Sequence, residues 1–187
     1  MLLVLTITAA AILLSSCAVG GNTESAAQAV RRTFSEAESV RMNMTLTADY
    51  GEKVYEFKVR WTGTEENGRL EVLSPESVAG LTAVLDERGG RLIYDGAAFE
   101  TGGLFGDGLS PAEAAPLMLG AWKSGYAVER SSESVDGEKT AALTYELSGG
   151  DRLKTWFDAE TLLPLRAEIT ENGFAVLTAE FGDVKLE

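Results

Sequence analysis

The sequence predicts a mainly β domain of the α+β class: a large curved antiparallel sheet, or open β-barrel, with an N-terminal helix and a mid-chain helical lid. Two observations predict the sheet. Apolar and polar residues alternate along Val40–Tyr50 and Tyr55–Trp61, and glycine-containing dipeptides typical of hairpin turns separate many further short apolar segments. The third observation predicts the helices, because apolar residues recur at helical spacing before the first strand and again near mid-chain.

The chain begins with an uncharged segment, in which Leu2–Leu14 is apolar apart from two threonines. Its length fits the hydrophobic region of a signal peptide, although no Lys or Arg precedes it. The following Leu14-Ser15-Ser16-Cys17 resembles the lipobox of bacterial lipoproteins. The resemblance implies cleavage between Ser16 and Cys17, lipid attachment to Cys17, and a lipoprotein signal peptide over residues 1–16. The alternative is that Cys17, the one cysteine of the chain, is buried in a core helix.

The first helix is expected after a short tether. Residues 17–22 are predicted to be a lipidated tether, because the segment is short and contains two glycines. A helix is predicted from about Glu24 to Ser39, with Thr23 as its N-cap. Residues 23–187 are then expected to form a single domain.

The two long alternating segments predict a hairpin that turns at Gly51-Glu52 and has one apolar face and one charged face. Further strands are predicted near Leu70–Leu73, Thr82–Asp86, Arg91–Tyr94, Val128–Ser132, Thr140–Leu147, Arg152–Phe157, Leu165–Thr170 and Phe174–Phe181. Turn dipeptides such as Asp136-Gly137 and Asn172-Gly173 separate them. Consecutive antiparallel hairpins of this kind favour one sheet.

A different pattern interrupts the strands in the middle of the chain. Gly102–Gly108 is a glycine-rich loop, and Ser110-Pro111-Ala112-Glu113 is typical of a helix start with an N-cap, a first-turn proline and a capping-box glutamate. The helix is predicted from Pro111 to about Lys123, with a kink or break at Pro116. We expect this segment to be a lid of low local stability.

Composition excludes several functional classes. The formal net charge of −13 argues against nucleic acid as a partner. The chain contains no histidine, which excludes Ser-His-Asp and Cys-His catalytic arrangements and most zinc sites. We therefore expect a protein that is not an enzyme, with no catalytic residues, no cofactor and no metal. The alternative is a glycosidase-like pair of carboxylates that folding brings together.

Two local motifs support a family resemblance. Pro75–Leu81 reads P-E-S-V-A-G-L and Phe157–Pro164 reads F-D-A-E-T-L-L-P. In their order, after a helix and two long strands, they resemble the LolA/LolB superfamily of lipoprotein carriers and receptors over roughly Thr23–Glu187. The resemblance implies an open antiparallel barrel with a helical lid over a cavity for acyl chains. The family's cavity-gating arginine is not assigned to any one position of this chain, so lipoprotein transfer is not implied.

These observations together predict a membrane-anchored extracytoplasmic lipoprotein that binds lipid or a lipidated ligand in an apolar barrel cavity. The cavity is expected on the apolar faces of the first hairpin and the mid-chain helix, at Met42, Met44, Leu46, Phe57, Val59, Trp61, Leu119 and Trp122. The alternative is that these side chains fill a core. The protein would then be an interaction module of the cell envelope, comparable with a clostridial germination lipoprotein of similar fold that acts through a protein partner.

The expected partners and location follow from Cys17. Its lipid would bind the membrane at the extracytoplasmic face, and an acyl chain, a lipoprotein or an envelope protein would be the ligand. Ala18 rather than Asp follows the cysteine, so the outer membrane is expected if the host has two membranes.

Overall fold

The computed structural model describes residues 19–87, 89–102 and 110–187, with side chains from residue 25 onward except at 101 and 102. The predicted signal peptide with Ser16, the predicted lipid site Cys17 and most of the glycine-rich loop lie outside the described residues. The elements are α1 Val19–Glu36, β1 Val40–Asp49, β2 Val54–Gly63, β3 Gly68–Ser74, β4 Thr82–Asp86, β5 Gly89–Tyr94, β6 Ala97–Gly102, α2 Ala114–Ser124, β7 Ala127–Val135, β8 Glu138–Glu146, β9 Arg152–Asp158, β10 Pro164–Glu171 and β11 Phe174–Leu186.

The strands within the described residues form one 11-stranded antiparallel sheet in the order β6-β5-β4-β3-β2-β1-β11-β10-β9-β8-β7. The first and last strands meet at its centre, where Val40 pairs with Leu186. The edge strands β6 and β7 do not pair with each other, so the sheet stays open. The predicted mainly β fold with a large open antiparallel sheet is confirmed.

The turn dipeptides have the backbone conformation that the sequence predicts. Asp95-Gly96, Asp136-Gly137 and Asn172-Gly173 have positive φ at both positions, with angles of 48° and 78°, 51° and 90°, and 51° and 84°. Such a pair matches the right-handed twist of the two strands that it joins. Three hairpins are therefore specified by local sequence.

The structure adds two features to the predicted strands. Strand β6 was not predicted, because its sequence, AAFETG, has little β-branched character; the Asp95-Gly96 turn returns it along β5, where Phe99 pairs with Leu92. Strand β11 continues to Leu186, beyond the predicted end at Phe181. A register shift opposite Asn43/Met44 skips Gly182 and lets pairing continue past the break in alternation.

Both helices have bounds that differ from the prediction. Helix α1 begins at Val19, so it includes Thr23, the predicted N-cap, and most of the predicted tether; it ends at Glu36 rather than Ser39. There the Glu38 and Ser39 amides donate to the Glu187 carbonyl at 2.7 and 3.1 Å, which draws the chain into β1.

Helix α2 begins at Ala114 rather than Pro111. Pro116 therefore lies in its first turn, where an amide has no partner within the helix, and no kink is needed. The predicted kink is wrong for this reason.

The inner face of the sheet is covered differently at its two sides. We call β1 and β7–β11 the filled half, because α1 and α2 pack on it through a cluster of aromatic rings. Trp122 of α2 has its ring centre 5.0 Å from Phe34, 5.5 Å from Phe157 and 5.7 Å from Phe181. Its indole Nε1 donates a hydrogen bond to the Thr155 hydroxyl at 3.0 Å, and this hydrogen bond is buried. Strands β2–β6 form the open half.

Candidate functional site: an apolar cavity in the open half

A cavity of about 180 Å³ lies between the inner face of β2–β5 and the segment 110–112. Its walls are Phe57, Val59, Leu70, Val72, Leu81, Ala83, Leu92, Ser110, Pro111 and Ala112. Ser110 supplies the one polar side chain among these wall residues. The cavity therefore suits an apolar ligand.

Strand register places the wall residues side by side. Leu70 pairs with Ala83, and Ala83 pairs with Leu92, so one cross-strand row crosses β3, β4 and β5. Val59 pairs with Val72 in the neighbouring row. Because side chains along a strand alternate between faces, both rows point to the same inner face. The small side chain of Ala83, in the middle of the first row, leaves part of the space empty.

An aromatic rim leads from the cavity to solvent. Phe57 on the cavity wall stacks against Tyr55, with 6.3 Å between ring centres, and Tyr55 makes an edge contact with Tyr50 at 5.9 Å. Tyr55 is 43% exposed and Tyr50 is 57% exposed. We call these three residues the aromatic rim. An amphipathic ring of this kind can contact an apolar ligand while its hydroxyl stays in water.

A hydrogen-bonded turn, Ser110–Glu113, covers one side of the cavity. The Glu113 amide donates to the Ser110 carbonyl at 2.9 Å, and the Glu113 carboxylate accepts from the Ser110 amide at 3.2 Å. The Ala112 amide also donates to the Ser110 hydroxyl at 3.3 Å. Burial raises the pKa of Glu113, although the Ser110 amide opposes this shift. The predicted capping box is formed only in its glutamate half, because the Ser110 hydroxyl accepts from the Ala112 amide and not from the Glu113 amide, and the segment is a turn before α2 and not its first turn.

The structure places the predicted cavity residues in two environments. Phe57 and Val59 lie on the cavity wall, where Phe57 is half-buried and Val59, 2% exposed, is also a member of the buried core. The other six lie in the packed core, each 3% exposed or less: Met42, Met44, Leu46, Trp61, Leu119 and Trp122. The apolar face of α2 is thus part of the core, and the turn 110–112 rather than α2 borders the cavity. Cys17 and Ser16, the predicted lipid and cleavage sites, lie outside the described residues.

Most of the cavity wall was not predicted from the sequence. Leu70 and Val72 alternate with charged or exposed neighbours, which indicates an inward orientation but not an empty space beside them. Leu81, Ala83 and Leu92 belong to short strands and turns with little periodicity. Strand pairing brings them together, and no single-sequence pattern encodes that pairing.

The rest of the described chain shows no metal or membrane-spanning feature. Across residues 19–87, 89–102 and 110–187, no three His, Cys, Asp or Glu side chains lie close enough together to hold a metal ion. Neither helix in these ranges has the length and apolar character needed to cross a bilayer. None of the described wall residues of the cavity has an ionisable side chain.

Solved structures of similar fold exist at low sequence identity. An uncharacterised conserved protein from Thermus thermophilus matches with a TM-score of 0.53 and 11% identity, over 88% of this chain and 86% of that one. A DUF1329 family protein from Desulfovibrio piger matches with a TM-score of 0.50 and 13% identity, over 90% and 93% of the two chains. These likenesses show the fold alone.

The family expected from the sequence also occurs among the matches. A LolA superfamily protein from Nitrosomonas europaea matches with a TM-score of 0.43 and 13% identity, over 86% of this chain and 93% of that one. No protein-family model and no curated protein matches the sequence.

Proposed function

We propose that the protein is a non-enzymatic, membrane-anchored extracytoplasmic lipoprotein that binds an acyl chain in the cavity of the open half. The observation that supports this most is the composition of the cavity wall, where Ser110 is the one polar residue among those that the structure describes. The aromatic rim supports it further, since Tyr55 and Tyr50 continue the apolar surface outward from Phe57.

The size of the cavity limits the ligand. A volume of about 180 Å³ is close to the ~150 Å³ of an engineered apolar cavity that binds benzene. The site therefore accommodates one end of a single acyl chain and not a whole lipid. The remainder of the chain would lie along the aromatic rim, with the polar headgroup in water beyond Tyr50. A larger ligand would require the turn 110–113 to move.

Membrane anchoring through Cys17 is the second part of the proposal. It rests on the Leu14-Ser15-Ser16-Cys17 sequence and on the net charge of −13, which disfavours electrostatic binding to anionic lipid headgroups. Two acyl chains on Cys17 would provide stable anchoring where one would be marginal. We expect Cys17→Ser to abolish lipid attachment. A variant that is cleaved normally and still sediments with membranes would contradict the lipid anchor.

The cavity is tested by filling it. Ala83→Leu adds a branched side chain in the middle of the wall, whereas Val84→Leu enlarges the next residue of β4, whose side chain points to the outer face. We expect Ala83→Leu to weaken displacement of a fluorescent fatty acid about tenfold or more, because the added atoms occupy the ligand's space. Val84→Leu should bind like the original chain.

Two results would contradict the binding proposal. One is an original chain that binds no fatty acid, and the other is equal affinity in the Ala83→Leu and original proteins. In either case the envelope interaction module becomes the better hypothesis, and a protein partner should be sought by crosslinking in intact cells.

A further inference from the structure

Two neighbouring hairpins at one end of the sheet expose large apolar side chains to solvent. On the β1–β2 hairpin, Tyr50 is 57% exposed, Val54 61% and Tyr55 43%. On the β10–β11 hairpin, Phe174 is 76% exposed. We call these four residues the hairpin patch. Exposed apolar side chains that lie together mark sites of interaction more often than single ones do.

Strand pairing places the two hairpins side by side. Near the end of β1, Ala48 pairs with Tyr55 of β2 on one side and with Leu177 of β11 on the other. Neighbouring strands lie about 4.8 Å apart, so Phe174, three residues before Leu177, comes close to the β1–β2 turn. At the opposite end of the sheet, none of the described large apolar side chains is exposed at the β2–β3, β7–β8 and β9–β10 turns. The exposure is therefore particular to the end that carries the hairpin patch.

The charges around the hairpin patch are mainly acidic. Asp49 and Glu52 belong to the β1–β2 turn, and Glu171 precedes the β10–β11 turn. Lys53 is the one basic residue in the two segments 49–54 and 171–174. The patch thus combines apolar anchors with a negative surround, within a chain whose formal net charge is −13.

This combination distinguishes between possible partners. A two-fold contact between copies of this chain would bring two identical acidic patches together, and an anionic bilayer would repel the same carboxylates. A basic partner would instead be attracted and oriented by them.

We propose that the hairpin patch docks a basic and apolar segment of a partner protein. The aromatic rings supply the apolar centre of such an interface, and the carboxylates around them face the partner's lysines or arginines. The inference does not rest on the acyl-chain site, because Val54 and Phe174 do not line that cavity.

The test measures binding of a fluorescent peptide of alternating lysine and phenylalanine to the full chain in phosphatidylcholine nanodiscs, by fluorescence anisotropy. Empty nanodiscs give the background. We expect saturable binding above this background, and none for a peptide in which glutamate replaces lysine. Phe174→Ser should weaken binding about tenfold, since it removes the most exposed aromatic anchor. The matched control is Phe99→Ser on the edge strand β6, where Phe99 is 59% exposed and outside the patch; it should bind like the original chain.

Two further substitutions test the apolar and acidic parts separately. Val54→Ser, at another exposed position of the patch, should also weaken binding, which protects the test against a folding defect particular to Phe174→Ser. Glu171→Gln should weaken binding about threefold, the range of an exposed charge pair. Its matched control is Glu66→Gln in the exposed β2–β3 turn at the opposite end of the sheet, which should have no effect. Equal losses in Phe174→Ser and Phe99→Ser, equal binding of the two peptides, or no binding above background would overturn the proposal.

A polarity-sensitive dye attached to Phe174→Cys separates a protein partner from a bilayer. We expect its emission to shift to shorter wavelength when the lysine peptide is added. The original chain, treated with the same dye, reports any label on Cys17. The same shift in nanodiscs without peptide would show that the bilayer covers the hairpin patch, and this result would also overturn the proposal.

Discussion

The filled and open halves of the sheet differ less in the sequence of their strands than in what packs on them. Leu46 of β1 and Phe57 of β2 are directly opposite each other in the ladder. Leu46 is fully buried, whereas Phe57 is half-buried and lies on a cavity wall. The alternating pattern correctly predicts that both point inward. It does not predict whether another side chain fills the space above them.

Small residues illustrate the same difference. In the filled half, Thr155 pairs with Ala167, and Trp122 packs over this region with its indole bonded to Thr155. Small side chains there make room for a large ring. In the open half, Ala83 has no comparable ring above it among the described residues and borders the cavity instead. An alanine on the inner face thus leaves space that either a helix or a ligand can occupy.

The largest expected effect comes from placing a charge in each half. Met44→Glu introduces a carboxylate at a position 3% exposed, where an unpaired buried charge costs several kcal/mol, comparable with the stability of a whole domain. We expect Met44→Glu to be unfolded or strongly destabilised by thermal denaturation. Phe57→Glu should stay folded and lose fatty-acid binding, because its carboxylate can reach water along the aromatic rim. If both variants unfold to the same extent, the distinction between the halves fails.

Removing a large side chain should have the next largest effect. Trp122→Ala deletes the ring at the centre of the aromatic cluster and leaves Thr155 without its donor, so we expect a loss of about 3–5 kcal/mol in the free energy of unfolding. Leu92→Ala, on the cavity wall, should cost less, about 2 kcal/mol, since this side chain already borders empty space. Urea denaturation monitored by circular dichroism measures both. A larger loss for Leu92→Ala would contradict the comparison.

The strands and hairpins of the sheet could be predicted because short local sequence patterns specify them. Alternation along Val40–Tyr50 and positive-φ dipeptides such as Asp136-Gly137 specify strands and hairpins over a few residues. Strand β6 escaped prediction because Ala97–Gly102 has weak strand propensity and forms mainly through its pairing with β5. Tertiary pairing outweighs local propensity in such a segment.

The candidate site could be predicted only in part, for a related reason. Whether an inward-facing side chain lines a cavity depends on packing between elements distant in sequence, such as Trp122 against Phe34. Composition alone does not distinguish Met44 and Trp122, which fill a core, from Phe57 and Val59, which border an empty space.

Adding volume should reveal the empty space directly. Ala167→Leu inserts extra atoms into the filled half, where Ala167 is 1% exposed, and overpacking of this kind costs about 1–3 kcal/mol. Ala83→Leu adds the same atoms beside the cavity and should leave the free energy of unfolding nearly unchanged or raise it. Thermal unfolding of the two variants in parallel gives the comparison. Equal destabilisation by both substitutions would show that the cavity is not available to a side chain.

The smallest expected effect concerns an acidic group on the outer face of the filled half. Glu133 accepts from Lys154 at 2.8 and 3.0 Å, from the Ser131 hydroxyl at 2.6 Å and from the Trp156 indole at 2.7 Å. These bonds, the one from Lys154 foremost, lower the pKa of Glu133 to about 2, although burial opposes them. The open half has a looser pair at the same face, Arg60–Glu71 at 3.6 Å.

The sign of the pH dependence follows from that depressed pKa. Because the folded state favours the ionised Glu133, its contribution is complete above the unfolded value of 4.5 and is lost as the pH falls towards about 2. The side chain is 34% exposed, so solvent screening reduces the contribution to about 1 kcal/mol. We expect Glu133→Gln to be less stable than the original chain by that amount at neutral pH and equally stable near pH 2.

Glu71→Gln, the matched change in an exposed pair, should have almost no effect at either pH, because such pairs contribute about 0–1 kcal/mol. Chemical denaturation at a series of pH values measures the difference, and a constant gap between Glu133→Gln and the original chain across this range would show that ionisation of Glu133 does not contribute to stability.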